Sequence, residues 1–433
     1  MKKRLISLVL AGLMATSLVA CGGGSASTPS QAPSGSEAPA ASDAPKEVKY
    51  SQGASDTEVL IANSAATSGA YAPVGVPFNA GIQAYLDMVN AEGGIDGRQV
   101  KFVHVDDEFD PVKGKAALQN FVEDEKVFAI VGHFGTPVVG ATIDDLKEYG
   151  IPAVYFATGI GQLYAENAKT NEEGYNLFPV QPIYTTEGKI MVTRGVGNFD
   201  AKKIGIIYTN DDAGKDMFKG AEAQCKALGV DYQAEQVAAG AADVSAAITS
   251  IKNGGVDFIV CAAIQATMPT IVKELAAQGM AVPVITTYVN VSSAISELVS
   301  TEIAGKFDVY GDGWVSYEDF RADNLSKYQE WVSKIDATYA NNAYAQTGWI
   351  AAHFFCEGLR RIEGQDITWD NYMAAMESAP IQNPFGGVID YANGTRAGTQ
   401  EMNLSKVNPD SSNGTGWEPV YGLQSIDGIL AGK

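Results

Sequence analysis

The chain has 433 residues, 46% hydrophobic and 19% charged, an ordinary globular composition with length for two or three domains. Lys and Arg total 30 against 51 Asp and Glu, a formal net charge of −21, and repulsion from phosphate backbones argues against nucleic acid as a partner. The acidity serves solubility instead.

Lys2, Lys3 and Arg4 form a positive start, and Leu5 to Ala20 is an apolar stretch too short and wrongly flanked for a membrane span. It ends in Leu18-Val19-Ala20-Cys21, which resembles a bacterial lipobox. That resemblance implies a signal peptide over 1–20 and a lipidated, membrane-anchored Cys21. From Gly22 to about Gln52 the composition shifts to Gly, Ser, Ala and Pro, too poor in large apolar groups to offset ordering entropy. We therefore expect a disordered tether over 21–55, with the folded part held outside the cytoplasmic membrane.

The folded part opens with a buried strand at Val59–Ala62, the polar turn NSAATSGAYAPVG, and a helix in which Phe78, Ile82, Tyr85, Leu86 and Val89 share a face. A strand over Val100–Val105 follows; Asp110 is placed to cap the next helix with Pro111 at its first position. VFAIV (127–131) is a third strand, a helix runs over about 138–149, and Ile151–Phe156 is a fourth strand. Beyond Tyr184 the alternation resumes with strands at 203–208, 256–262 and 282–287 and helices at 215–228 and 268–278. Asn324–Tyr339 and Ala343–Ile362 are long helical patterns, with short strands around 387–391. Two such runs predict two α/β units, each a mostly parallel sheet covered by helices.

In open parallel sheets ligands sit beyond the carboxyl ends of the strands. The turns at 67–71, 132–136, 157–159, 210–214, 264–267 and 288–290 all follow predicted strands. If the sheets face each other, these turns line one cleft.

Reaction chemistry is hard to find. No phosphate-binding glycine motif follows a strand, and no G-x-S-x-G or H-E-x-x-H occurs. His353 and Glu357 stand four apart on a helix, a pairing read as structural before metal-binding. His133, beside Gly135 and Thr136, is read as structural before ligand contact. DVYGDGWVSYED (308–319) matches a calcium loop at Asp308, Asp312, Gly313 and Asp319 but has Tyr310 at the third position, and we read it as coincidence. Cys225, Cys261 and Cys356 lack redox spacing and read as buried thiols, with a disulfide between two of them left open. The expectation is a binder with no cofactor, metal or catalytic set, not an enzyme.

From about Asp56 to Gly428 the sequence resembles the leucine/isoleucine/valine-binding family of extracytoplasmic solute-binding proteins for ABC importers. The resemblance is carried, in order, by SGAYAPVG (68–75), NAEGGIDGR (90–98), DDEFDP (106–111), GHFGTPVVGA (132–141), GIPAVYFATG (150–159), QPIYTTEG (181–188) and YTNDDAGKD (208–216). It implies the type I periplasmic binding protein fold: two Rossmann-like lobes joined by three crossover strands, 56–184 with 311–402 and 185–310 with 403–433. The implied activity is capture of a small amino acid or related carboxylate by hinge closure and delivery to an ABC permease.

By the family pattern, Thr136 with Ala157, Thr158 and Gly159 would hold the ligand carboxylate through hydroxyls and backbone amides, neutral donors suited to a closing cleft. Relatives that bind α-amino acids present a Glu where this chain has Tyr288, with Asn290 nearby, and an acid where it has Tyr184. An ammonium deprived of both is costly to desolvate, which favours an aromatic or aliphatic carboxylate lacking an amine. Ala213 stands where many relatives have an aromatic residue, enlarging the cleft, and Tyr71, Gln265 and Tyr344 are further lining candidates. A sensory receptor built on the same fold is the alternative.

Overall fold

Buried strands alternating with one-sided helices can satisfy both only by stacking helices on a sheet. In the computed structural model, which describes residues 48–168, 173–316 and 322–432, the first run gives β1 (Glu58–Ala65), α1 (Ala72–Ala91), β2 (Gln99–Asp106), α2 (Pro111–Glu123), β3 (Ala129–Phe134), α3 (Thr136–Tyr149), β4 (Ala153–Ala157) and β5 (Leu177–Phe178). These strands form a parallel sheet in the order β2-β1-β3-β4-β5. Asp110 caps α2 as its position predicts, accepting from the amides of Val112 and Lys113.

The second run gives α4 (Tyr184–Phe199), β6 (Lys203–Thr209), α5 (Asp212–Leu228), β7 (Asp231–Val237), α6 (Ser245–Asn253), β8 (Phe258–Ala262), α7 (Met268–Ala277), β9 (Val284–Thr286), α8 (Ser293–Ile303) and β10 (Val309–Gly313). The chain then returns to the first unit with α9 (Ala322–Ile335), α10 (Ala343–Arg360) and α11 (Trp369–Glu377), and makes the small antiparallel pair β11 (Ile381–Gln382) and β12 (Val388–Ile389). It ends with β13 (Glu401–Val407), β14 (Trp417–Ser425) and α12 (Ile426–Leu430). The second sheet has the order β14-β13-β10-β9-β8-β6-β7, parallel except for its antiparallel edge β13 and β14. The chain thus passes between the sheets three times: after β5, after β10 and before β13.

The helix layers are seated by close backbone approach. A Cβ on Gly81 of α1 would stand 1.8 Å from the Ala345 carbonyl of α10, and one on Gly348 of α10 would stand 1.8 Å from that of Phe78. Gly188 of α4 and Gly220 of α5 do the same for the second sheet, at 2.0 Å from Met217 O and 1.9 Å from Thr185 O. Only glycine lets these pairs meet so closely.

Residues 48–55 depart from the expected tether. Tyr50 bridges Ile367, Ser51 N donates to Ile367 O at 2.9 Å, and Gln52 Nε2 reaches Val127 O at 3.1 Å. Few as their apolar groups are, their backbone groups find partners on the first unit, so they belong to the folded part. The signal segment, Cys21 and the rest of the tether lie outside the described residues. No helix among those described is long and apolar enough to cross a membrane.

The three remaining cysteines are free and fully buried, Cys225 on α5, Cys261 on β8 and Cys356 on α10. Burial pushes each thiol up to about 12.

Candidate functional site

The strand ends of both sheets open onto one cavity of about 540 Å³, a size within the usual range for small-molecule sites. Its first-sheet wall starts with a strained loop. Glu108 (φ 54°) and Phe109 (φ 66°) adopt the left-handed backbone that side chains disfavour. Asp106 Oδ1 accepts from Glu108 N at 3.0 Å and Asp107 Oδ1 from Phe109 N at 2.8 Å, holding the turn. The Phe109 ring therefore lies flat on Tyr71, centroids 3.8 Å apart and planes 17° apart. Gly135 (φ 91°) passes beneath it where a Cβ would stand 2.6 Å from Phe109 Cε2, so both its backbone and its neighbour require glycine.

Thr136 follows as the first residue of α3. Its Oγ1 lies 2.9 Å from Thr158 Oγ1, and Thr158 Oγ1 also accepts from Ile160 N at 3.1 Å. Inside β4, Tyr155 also has a positive φ of 61° and is fully buried. Its hydroxyl accepts from Gln181 Nε2 at 2.7 Å, and Gln181 Oε1 accepts from the Tyr288 hydroxyl at 3.0 Å. Gln181 stands in the first passage between the sheets, so this chain of bonds links the two.

The second-sheet wall comes from the turns after β8 and β9. Gln265 Nε2 donates to Val289 O at 2.9 Å, and the Tyr288 and Tyr184 rings stack with centroids 5.9 Å apart. Tyr344, at the start of α10, shares a 3.0 Å hydrogen bond with Ser292 Oγ. Trp314 lines the cavity from the second passage, and beyond it the cavity runs out to the turn between β13 and β14.

Of the residues singled out from sequence, Tyr71, Thr136, Ala157, Tyr184, Gln265, Tyr288 and Tyr344 line this one cavity. Four do not. Asn290 is fully buried, its Nδ2 spent on Ala263 O and Thr286 Oγ1, where it ties the ends of β8 and β9 together. Ala213 is fully buried in the first turn of α5. Thr158 and Gly159 are buried behind the wall: a Cβ on Gly159 would meet Pro182 O at 2.3 Å and both Tyr184 Cδ1 and the Tyr288 hydroxyl at 2.9 Å. Sequence reasoning missed Phe109, Gln181 and Trp314. The first two were present in DDEFDP and QPIYTTEG, as an aromatic among acids and an amide ahead of a proline.

Behind Tyr288 sits a knot of buried charge. Glu187 of α4 is fully buried, and its carboxyl accepts from Tyr288 N at 2.7 Å and Thr287 Oγ1 at 2.8 Å. Burial, reinforced by Asp312, pushes it well above the usual carboxylate range. Asp312 of β10 is itself pushed up to about 6 by burial, against the pull of Arg194, whose Nε is 2.7 Å away. Arg194 Nη2 also donates to Asn403 O of β13 at 3.2 Å, so the knot binds the second-sheet side of all three passages. Asp312 is thus committed to an arginine rather than to a calcium loop; Asp319 lies outside the described residues.

The other singled-out side chains are also occupied. His133 Nε2 pairs with Thr142 Oγ1 at 2.9 Å, and burial lowers its pKa to about 4. His353 pairs with Gln382 O at 2.9 Å and the Tyr85 hydroxyl at 3.1 Å, and Glu357 with Arg360.

Comparison with known proteins accords with this geometry. A family model described as periplasmic binding protein matches residues 58–415. The chain is 24% identical over 260 residues to Leu/Ile/Val-binding protein homolog 2 of Brucella abortus, covering 60% of this chain and 68% of that one. The fold resembles a fatty acid ABC transporter substrate-binding protein from Thermomonospora curvata (TM-score 0.75, 18% identity, 89% of this chain and 97% of that one). It also resembles a branched chain amino acid ABC transporter protein from Thermus thermophilus with bound valine (TM-score 0.74, 15% identity, 87% and 98%).

Proposed function

This chain belongs to the periplasmic binding protein family, and from that premise we propose that it is the solute receptor of an ABC importer, taking a small, amine-free organic solute by hinge closure. The observation that carries the reading is the cavity walled by the strand ends of both sheets. A ligand touching both walls binds the closed form better than the open one, and that difference is what drives closure. The lobes that move are 56–184 with 311–402 and 185–310 with 403–433, and the permease reads the outer surfaces that closure brings into register. The family places the protein outside the cytoplasm, and a lipid on Cys21 would keep it at the membrane.

Of the ligand classes open from sequence, a branched-chain amino acid is disfavoured. Where its ammonium would need an acid, the described lining offers Tyr184 and Tyr288. The lining carboxylates, Asp410 and Glu418, belong to the β13–β14 end, and Glu418 is engaged by Lys406 at 3.2 Å and Asn408 at 2.9 Å. The sensory alternative uses the same capture step and differs only in the partner that reads it.

The test is a thermal-shift panel on protein stripped of carried-over ligand by partial unfolding and dialysis, with small-angle scattering on every hit. At about 100 times its dissociation constant a ligand stabilises the fold by roughly 2.7 kcal/mol. An amine-free hit that also contracts the particle supports the reading. Hits confined to leucine, isoleucine or valine would overturn the amine-free assignment, and chemical turnover of a hit would overturn the receptor assignment.

A further inference from the structure

A cavity wall that need only be apolar can be built from aliphatic side chains on relaxed backbone. The first-sheet wall is built otherwise. Along it and into the second passage six aromatic rings stand in series, Tyr71, Phe109, Phe134, Phe78, Tyr155 and Trp314, with centroids 3.8–6.4 Å from one to the next. All but Tyr155 line the cavity.

Two of the six stand on strained backbone. Among the described residues, the aromatic side chains on a positive φ are Phe109 at 66° and Tyr155 at 61°. Such a conformation is unfavourable for a bulky residue and persists where its surroundings over-determine it, commonly at ligand sites. Tyr155 has a packing reason, being fully buried with its hydroxyl held by Gln181. Phe109 has none of that kind. It is only half-buried, and so is Tyr71, the ring it lies flat against, so their stack faces the cleft instead of filling a core. Yet its placement is secured from three directions: Asp107 accepts from its amide, Asp106 accepts from that of Glu108, and Gly135 leaves free the space that its ring edge occupies.

The facing wall carries a second pair. Tyr184 and Tyr288 stack with planes 25° apart, and both line the cavity. Paired rings on both walls offer faces and edges to a flat body, and ring–ring contacts add to what buried area alone supplies.

Resting on the receptor reading above, we propose that Phe109 is a specificity-determining residue: the strained Glu108–Phe109 turn fixes its ring on Tyr71 as an aromatic platform, and the cavity takes a solute with a planar aromatic body in preference to a saturated one of the same size. A saturated ring buries much the same apolar area, so area alone does not separate the two solutes, whereas ring faces do.

The test is calorimetric titration of the ligand-stripped protein with two matched pairs, benzoate against cyclohexanecarboxylate and benzamide against cyclohexanecarboxamide. Each pair keeps the head group and changes only the ring. In at least one pair wild type should bind the planar member about tenfold more tightly, the upper end of what a ring pair adds beyond area. Phe109→Leu keeps an apolar side chain and should bring that ratio to within about twofold, while the affinity for the saturated member stays put. Tyr71→Leu removes the other ring of the platform and should act in the same direction, which keeps the test open if the first variant does not fold.

Equal or tighter binding of the saturated members by wild type would overturn the proposal. So would a planar preference that survives both substitutions, and so would failure of all four probes to bind at millimolar concentration. The ratio depends on neither lobe closure nor transport. A planar preference that Phe109→Leu abolishes, without contraction of the particle, would leave Phe109 in its role and sink the receptor reading; contraction with saturated solutes alone would do the reverse.

Discussion

The cavity and the knot behind it share a wall residue, Tyr288, and treat charge in opposite ways. The inner cavity is faced by rings, amides and hydroxyls, while just behind it Glu187, Asp312 and Arg194 are buried together. The difference teaches where a binding scaffold can keep ions. The Arg194–Asp312 pair can be sealed away because each offsets part of the other's lost hydration, and Glu187 because two donors meet its carboxyl and burial holds its pKa well above the usual carboxylate range. A cavity that must fill and empty cannot rely on such partners, since the solute would have to restore them at every cycle.

The sharpest way to break the contrast is Arg194→Met. It leaves Asp312 buried without its cation, and unfolding in urea should show a loss of about 3–5 kcal/mol. A loss under about 1 kcal/mol would mean that the knot is held by packing rather than charge.

On the cavity side, Gln181→Leu cuts both bonds of the Tyr155–Gln181–Tyr288 chain. We expect about 1–3 kcal/mol of lost stability, since the buried Tyr155 hydroxyl loses the Gln181 donor and the Tyr288 hydroxyl is left with Pro182 O. Equal stability in the variant would show that the chain between the sheets contributes nothing.

The knot should also give the protein an inverted pH response. Asp312 is raised from 3.8 to about 6, so between those values the native state holds a proton that the unfolded chain has released. Its contribution is therefore greatest below pH 3.8 and is lost as pH rises through about 6, with a slope of at most about 1.4 kcal/mol per pH unit. Glu187 acts with the same sign and remains when Asp312 is replaced. Denaturant midpoints at pH 4.5 and 7.5 should show wild type losing stability relative to Asp312→Asn on going to the higher pH. The opposite trend would place the titration elsewhere.

The smallest effect belongs to the strained loop. Glu108→Asn puts a residue tolerant of positive φ at 54°, for a gain of up to about 1 kcal/mol. A loss would mean that the exposed contact with Lys113 outweighs the backbone term.

The sheets were legible because a strand buried on both faces is a continuous apolar run, as VFAIV (127–131) and FIVCA (258–262) are. Asp110 was legible because capping is a local matter of one side chain and the next two amides. β13 and β14 were not foreseen: β13 buries only Met402, Leu404 and Ser405, β14 only Trp417, and both depend on an antiparallel pairing that local pattern does not reveal. The site was half legible for a related reason. Position after a strand puts Thr136, Tyr71, Gln265 and Tyr288 at the right end of the sheet, but it cannot tell a residue facing the cleft from one turned inward, and Asn290 was turned inward by Ala263 O. Nor can it show that Tyr184 would meet Gly159, a contact across 25 residues that only the assembled passage creates.

The sealed thiols have a consequence of their own. A thiolate is the reactive species, and Cys225, Cys261 and Cys356 are denied both ionisation and access as long as the fold is closed. Buried as they are, the three thiols need no disulfide partner, and their alkylation becomes a clock. Cys261 lies within the second sheet and Cys356 on the helix seated against the first unit, so the rates at which the two are modified time the breathing of each half separately.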